Sequence, residues 1–186
     1  MLNPVDTNTI LGAQAGRPEQ VTSLYEHYHP GIFRYLYYRV GDRQTAEDLT
    51  SEVFLRMIRN LGQYRLQGSA APFQAWLFQI AHNLATDHFR RTNSHPQLPL
   101  ADHLAAHDPG PDVRAEHHLS QEHLHQAFAR LNEDQRDVVL LRFVVGLPIS
   151  EVAHTLHKSE DAVKGLQRRG LSALRDSLND MEASYV

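Results

Sequence analysis

The sequence predicts an all-α protein made of two small helical domains joined by a flexible linker. Three observations carry this reading. Apolar residues recur at intervals of three and four over most of the 186 residues, the spacing of an amphipathic helix. No stretch shows the strict alternation of a half-buried strand. Four of the nine prolines, Pro96, Pro99, Pro109 and Pro111, fall within residues 92–111, a density that no helix of normal length survives.

The composition narrows the function classes. With 41% apolar residues the chain can build a core, which excludes wholesale disorder. The absence of cysteine excludes disulfides, thiolate zinc sites and cysteine nucleophiles. Nothing near the N-terminus resembles a signal peptide, and no apolar run reaches the roughly 18 residues of a membrane span, so the chain reads as soluble and cytoplasmic. The net charge is −4, from 18 Lys and Arg against 22 Asp and Glu, which taken alone argues mildly against a nucleic-acid partner.

The first 17 residues show no sustained period and are expected to form a flexible arm. The first domain then spans 18–91. Val21, Leu24, Tyr25, Tyr28, Ile32, Leu36 and Val40 mark a first helix, which Pro30 is expected to kink or break. Gly41 and Asp42 end it and open the next, where Ala46, Leu49, Val53 and Met57 define an amphipathic helix over 44–60. After a turn-rich stretch through Gly62 and Gly68, Pro72 suits a helix start. Phe73, Trp76, Leu77, Ile80, Ala81, Leu84 and His88 follow as the cleanest stripe in the chain, with Trp76 expected in the core.

Residues 92–118 are read as an acidic, Pro- and His-rich linker, extended rather than packed, with one basic and four acidic side chains. The second domain occupies 119–180. A helical segment runs from about Asp112 to Leu131; Asn132 and Gln135 then fit a capping pair, and Val138 to Val145 continues as a buried helix that Gly146 ends. A short helix through Ile149, Val152, Ala153 and Leu156 starts after Pro148. It is followed by a turn at His157, Lys158 and Ser159, and by a longer helix capped by Ser159, with Glu160 and Asp161 complementing its dipole.

Two short helices joined by a tight turn, the second one basic, form a helix-turn-helix. Lys158 to Arg175 holds five basic residues against two acidic ones, a local +3 within the acidic total. Lys164, Arg168 and Arg169 share one side of the last helix, while Val163, Leu166, Leu171 and Leu174 face the core. Such a helix can read base edges in a major groove; the same pattern also fits a solvated helix face in an ordinary bundle.

The segment RLNEDQRDVVLLRFVVGLPISEVAHTLHKSEDAVKGLQRRGLSALR resembles region 4 of the extracytoplasmic-function sigma factors, the small two-domain initiation subunits of bacterial RNA polymerase. AEDLTSEVFLRMIR (46–59) resembles the family's region-2 helix, and FQAWLFQIAHNLATDHFRR (73–91) its promoter-melting segment. The resemblance covers about 20–91 and 119–178, with two motifs in the right order.

This resemblance implies specific roles. Asp48, Glu52 and Arg56, one polar stripe at i, i+4 and i+8, would meet the beta-prime clamp of core polymerase. Asn83, with Asp87, Arg90 and Arg91, would capture and open the minus-ten element; the family places a loop near Asn83, so a distortion of the helix is expected there. Ser159, Lys164, Gly165, Arg168 and Arg169 match the readers of the minus-thirty-five element. Gly165 stands where a polar side chain is frequent and Leu166 where arginine is frequent, which narrows or changes the base contacts. The implied partners are core polymerase (beta-prime clamp and beta flap), promoter DNA and an anti-sigma factor, with no membrane, no small-molecule substrate and no cofactor. Catalysis would belong to polymerase, since the chain offers no nucleophile–base pair or phosphate loop.

The 13 histidines stand apart. His117, His118, His123 and His125 cluster on one expected helix, with His118, Glu122 and His125 at i, i+4 and i+7, but no complete metal-ligand set is present and a solvated helix is the reading favoured. Two rivals remain at this level: a stand-alone dimeric helix-turn-helix regulator and a metal-dependent sensor or enzyme.

Overall fold

The computed structural model describes residues 5–66, 72–92 and 124–183, with side chains described as far as residue 180. The described residues are almost entirely helical and contain no strand. The linker, except Thr92, and His117, His118, Glu122 and His123 lie outside them.

The first domain comprises α1 (Thr7–Gln14), α2 (Pro18–Val40), α3 (Arg43–Asn60), a 3-10 turn (Leu61–Gln63) and α4 (Phe73–Thr92). Helix α2 packs against α1, α3 and α4, burying Leu24, Tyr28, Ile32, Tyr35 and Leu36 along one stripe. Gly41 ends it in the left-handed region, φ 82°, and its N–H donates to the Tyr37 carbonyl. Asp42 then caps α3 by accepting from the Thr45 N–H at 2.7 Å, and hydrogen bonds from the Thr45 side chain and then its backbone hold the carboxyl below the usual value. Pro72 precedes α4, and its carbonyl accepts from Trp76 N–H.

Two expectations for this domain are corrected. The segment assigned to a flexible arm contains α1, which buries Ile10 and Ala13. The amide of Gln14 donates to the carbonyls of Leu61 and Tyr64 at 2.9 and 2.6 Å, so a polar clasp that periodicity does not register ties α1 to the end of α3. Nor does Pro30 break α2, which runs through it with no interruption. The missing N–H at Pro30 weakens the helix locally, yet buried residues on both sides (Leu24 and Tyr28, Ile32 and Tyr35) hold the turns in place.

The second domain comprises α5 (124–129), α6 (Glu133–Val139) continuing as a π-helical turn (Leu140–Val145), α7 (Ile149–Leu156) and α8 (Glu160–Ala183). Asn132 caps α6 by accepting from Gln135 N–H at 2.9 Å, as its spacing predicts. The buried Arg136 turns back and donates to the carbonyls of Phe128, Ala129 and Leu131, closing the end of α5. Gly146 ends the π turn at φ 90°. That turn is not wholly buried as expected: Phe143 is exposed. Helix α8 crosses close to α6 at Gly170, where a Cβ would stand 2.8 Å from Val139 Cγ2.

The domains pack together, with α4 against α7 and α2 against the π turn, and their buried apolar residues form one continuous cluster. Thr155 of α7 donates to the Ala75 carbonyl of α4 at 3.2 Å. His125 of α5 is not on a solvated face: it is 7% exposed, with its ring centroid 4.5 and 4.4 Å from those of Tyr37 and Tyr38 on α2. Burial lowers its imidazole to about 4. A histidine held neutral when packed, but free to protonate near 6.5 when exposed, makes the packing lose stability as pH falls below about 6.5, levelling off near 4. We expect His125→Phe to reduce the fall in unfolding free energy between about pH 7.5 and 5.5 by about 1 kcal/mol. Denaturant melts of both proteins check this, and equal pH slopes would show that His125 is not the titrating group.

Candidate nucleic-acid interface

Helix α7, the turn at His157–Ser159 and α8 form the expected helix-turn-helix. His157 adopts the left-handed conformation, φ 52°, which turns the chain sharply between the helices. Ser159 Oγ accepts from Ala162 N–H at 3.2 Å, so its hydroxyl serves the helix start. Lys158 reaches Asp134 on α6 at 3.0 Å and Arg142 donates to Gln167 and to the Leu147 carbonyl; these bonds fix α8 against the rest of the domain.

Val163 and Leu166 are buried and Leu171 and Leu174 pack against the core. That sets the opposite side of α8 toward solvent, with Lys164, Arg168 and Arg169 exposed. Lys164 sits 3.0 Å from Asp161, and that hydrogen bond raises its ammonium above the ordinary value. Gly165 leaves open backbone: a Cβ there would meet the Arg169 guanidinium at an ordinary 3.4 Å. Its glycine is therefore not required by packing, and the Arg169 guanidinium lies over it.

On the first domain, α4 is regular throughout, so the expected distortion near Asn83 is absent. The apolar stripe Phe73, Leu77, Ala81 and Leu84 is buried without interruption, and Asn83 projects from the exposed side. Arg90 and Arg91 are exposed near the end of the same helix, and Arg90 pairs with Asp87 at 3.0 Å. Trp76 is half-buried, packed against Tyr64 and Phe73 rather than offered to a base. Asn83, Arg90 and Arg91 are exposed on α4, and Gln79, one turn before Asn83, hydrogen-bonds His157 at the end of α7.

On α3, Asp48 is exposed, and Glu52 and Arg56 pair with each other at 2.8 Å. Val53 and Met57 are buried, as expected. Leu55 and Ile58 are exposed beside this stripe. Sequence reasoning missed them, although their signal is visible: both are apolar and off the 46, 49, 53, 57 register. Among the described residues, no group of acidic or histidine side chains is placed to hold a metal ion, and no helix is long and apolar enough to cross a membrane.

An all-helical protein with a basic helix-turn-helix in its second domain has the architecture of a DNA-binding protein. The family models agree: Sigma-70 region 2 matches residues 24–95 and Sigma-70 region 4 matches residues 127–176. Over 170 residues the chain is 41% identical to the extracytoplasmic-function RNA polymerase sigma factor BldN of Streptomyces coelicolor, covering 90% of this chain and 64% of that protein. Over 158 residues it is 34% identical to SigX of Bacillus subtilis, a sigma factor of the same kind, covering 82% of this chain and 80% of that one. The solved structure of CnrH in complex with the cytosolic domain of CnrY superposes with a TM-score of 0.72 at 20% identity, covering 93% and 96% of the two chains. That of the sigma factor RpoE with the anti-sigma factor NepR from Bartonella quintana gives 0.68 at 16% identity, covering 85% and 96%. The chain belongs to the extracytoplasmic-function RNA polymerase sigma factors.

Proposed function

We propose that this chain binds core RNA polymerase and directs it to promoters, reading the minus-thirty-five element with α8 and opening the minus-ten element with α4. Two family regions in one chain, in the order of a sigma factor, carry this reading. Lys164, Gly165, Arg168 and Arg169 form the reading face, with Ser159 at its N-terminal edge. Exposed arginines supply phosphate contacts, and side chains at i and i+4 reach base edges. Asn83 would bond an unpaired base through an amide that both donates and accepts, with Arg90 and Arg91 meeting the flanking phosphates and Asp87 orienting Arg90; the exposure of Asn83, Arg90 and Arg91 and the Asp87–Arg90 pair support this reading. Asp48 and the Glu52–Arg56 pair offer two carboxylates and one guanidinium to the polymerase clamp, with Leu55 and Ile58 as apolar anchors beside them. The beta flap is the second polymerase contact, through region 4, and an anti-sigma factor is the inhibitory partner. The work is cytoplasmic and non-catalytic: bond formation belongs to polymerase.

Run-off transcription with purified core polymerase and a genomic DNA library tests this. Promoter-specific transcripts above the core-alone control are expected; their absence would sink the sigma reading. Tight operator binding by the isolated chain would instead favour a stand-alone regulator.

A further inference from the structure

The reading face of α8 carries a negative charge at its centre. Val163, Leu166 and Gly170 are buried on one side of the helix. At about 3.6 residues per turn, the side directly opposite holds Asp161, Gly165 and Arg168, one turn apart, with Lys164 beside them. Asp161 is the second residue of α8, within the N-terminal part that a helix-turn-helix presents to base edges. Its side chain is 92% exposed, that of Lys164 55%. The start of the helix does not depend on this carboxylate. Ser159 caps α8 by accepting from Ala162 N–H at 3.2 Å, and Glu160 supplies an acid in the first turn for the helix dipole. What Asp161 holds is Lys164, whose ammonium donates to its Oδ1 at 3.0 Å. That hydrogen bond, and then the charge of the carboxylate, raise the ammonium above its ordinary value, and Glu160 adds to this through space alone.

A carboxylate facing DNA is repelled by the phosphates and gains nothing from base acceptors. It gains only where a base edge presents a donor, and in the major groove the donor that suits it is the cytosine N4 amine. Lysine has the converse need, and guanine O6 and N7 supply it with two acceptors. One G·C pair meets both demands side by side. Cytosine N4 and guanine O6 are themselves partners in a Watson–Crick hydrogen bond, about 2.9 Å apart. The Asp161–Lys164 pair presents an acceptor and a donor at nearly that spacing, 3.0 Å. An A·T pair puts its donor on the purine, so the ammonium would meet the thymine methyl in place of guanine N7. Lysine alone is a compact point charge on a flexible stem. The carboxylate beside it gives that charge a direction and rejects edges that offer acceptors only.

We propose that Asp161 is a base-specificity residue, which with Lys164 reads one G·C pair of the minus-thirty-five element, the carboxylate accepting from cytosine N4 and the ammonium donating to guanine O6 and N7. The inference rests on the reading of α8 as the helix that enters the major groove. Transcription by core polymerase with the full chain, from a barcoded promoter library randomised across that element, tests it. The wild-type chain is expected to prefer G·C at one position by about tenfold over the other pairs. Asp161→Ala is expected to bring that preference down to about twofold or less, while preferences at the remaining positions stay as they were. Lys164→Ala should relax the same position. Glu160→Ala removes the neighbouring acid and is expected to leave every preference unchanged. Far-UV circular dichroism of each variant, expected to match the wild type, shows that α8 is intact. A carboxylate that acted only by repelling phosphates would, on truncation, change all promoters alike. That uniform change, or a base preference the Asp161 variant leaves untouched, would overturn the base-reading role and leave the sigma reading standing. Absence of promoter-specific transcripts from every library member with the wild-type chain would overturn the sigma reading, and this role with it.

Discussion

Arg168→Ala is expected to reduce promoter-specific transcription about ten- to a hundredfold, the cost of losing one good base or base-and-phosphate contact of about 1–3 kcal/mol. Lys164→Ala should do the same, and the double variant should lose close to the product of the two. Neither change threatens the fold. Both side chains are exposed and alanine is a strong helix former. The Lys164–Asp161 pair lies on the surface, where such pairs contribute little. Transcript yield should therefore fall while affinity for core polymerase and far-UV helicity stay level. A parallel loss of core affinity would show that α8 does more than read DNA. Because Arg169 folds over Gly165, its own truncation is expected to have the smaller effect.

Arg136→Ala is expected to be the most destabilising single change, by about 3 kcal/mol, with a fall in Tm of about 10 °C. The guanidinium is 3% exposed and serves three carbonyls at the end of α5. Burial lowers it to about 10, so it stays charged at neutral pH. Its removal leaves those acceptors buried without donors, and α5, with His125 and Phe128, loses its anchor. Arg136→Lys should recover only part of the loss, because an ammonium cannot span three carbonyls as a planar fork does. Thermal melts followed by circular dichroism measure both, and a change below about 1 kcal/mol for Arg136→Ala would show that water replaces the lost donors.

Much of the fold was legible because helices advertise themselves through period and caps. Asn132 and Ser159 cap where their spacing says they should, Gly41 and Gly146 end helices in the left-handed region, and Val163 and Leu166 are buried opposite Lys164 and Arg168. The misreadings have physical causes. Thr7–Gln14 is short and weakly patterned, and α1 is held by the Gln14 amide on two distant carbonyls, a tertiary bond that no local rule sees. Pro30 lies in a helix whose packed flanks outweigh its local cost. The domain contact was invisible for another reason. Arg39, Asp137 and His82 each lie beside apolar residues and look like ordinary polar interruptions; only the folded chain brings together residues about a hundred positions apart. The histidine excess was likewise opaque, since nothing local distinguishes His125, sandwiched against two tyrosines, from a solvated neighbour.

The continuous apolar cluster shared by the two domains makes their melting a single event. With α4 packed on α7 and α2 on the π turn, a substitution at the contact is felt in both halves, so both are expected to lose their helices in one transition, seen alike by calorimetry and circular dichroism.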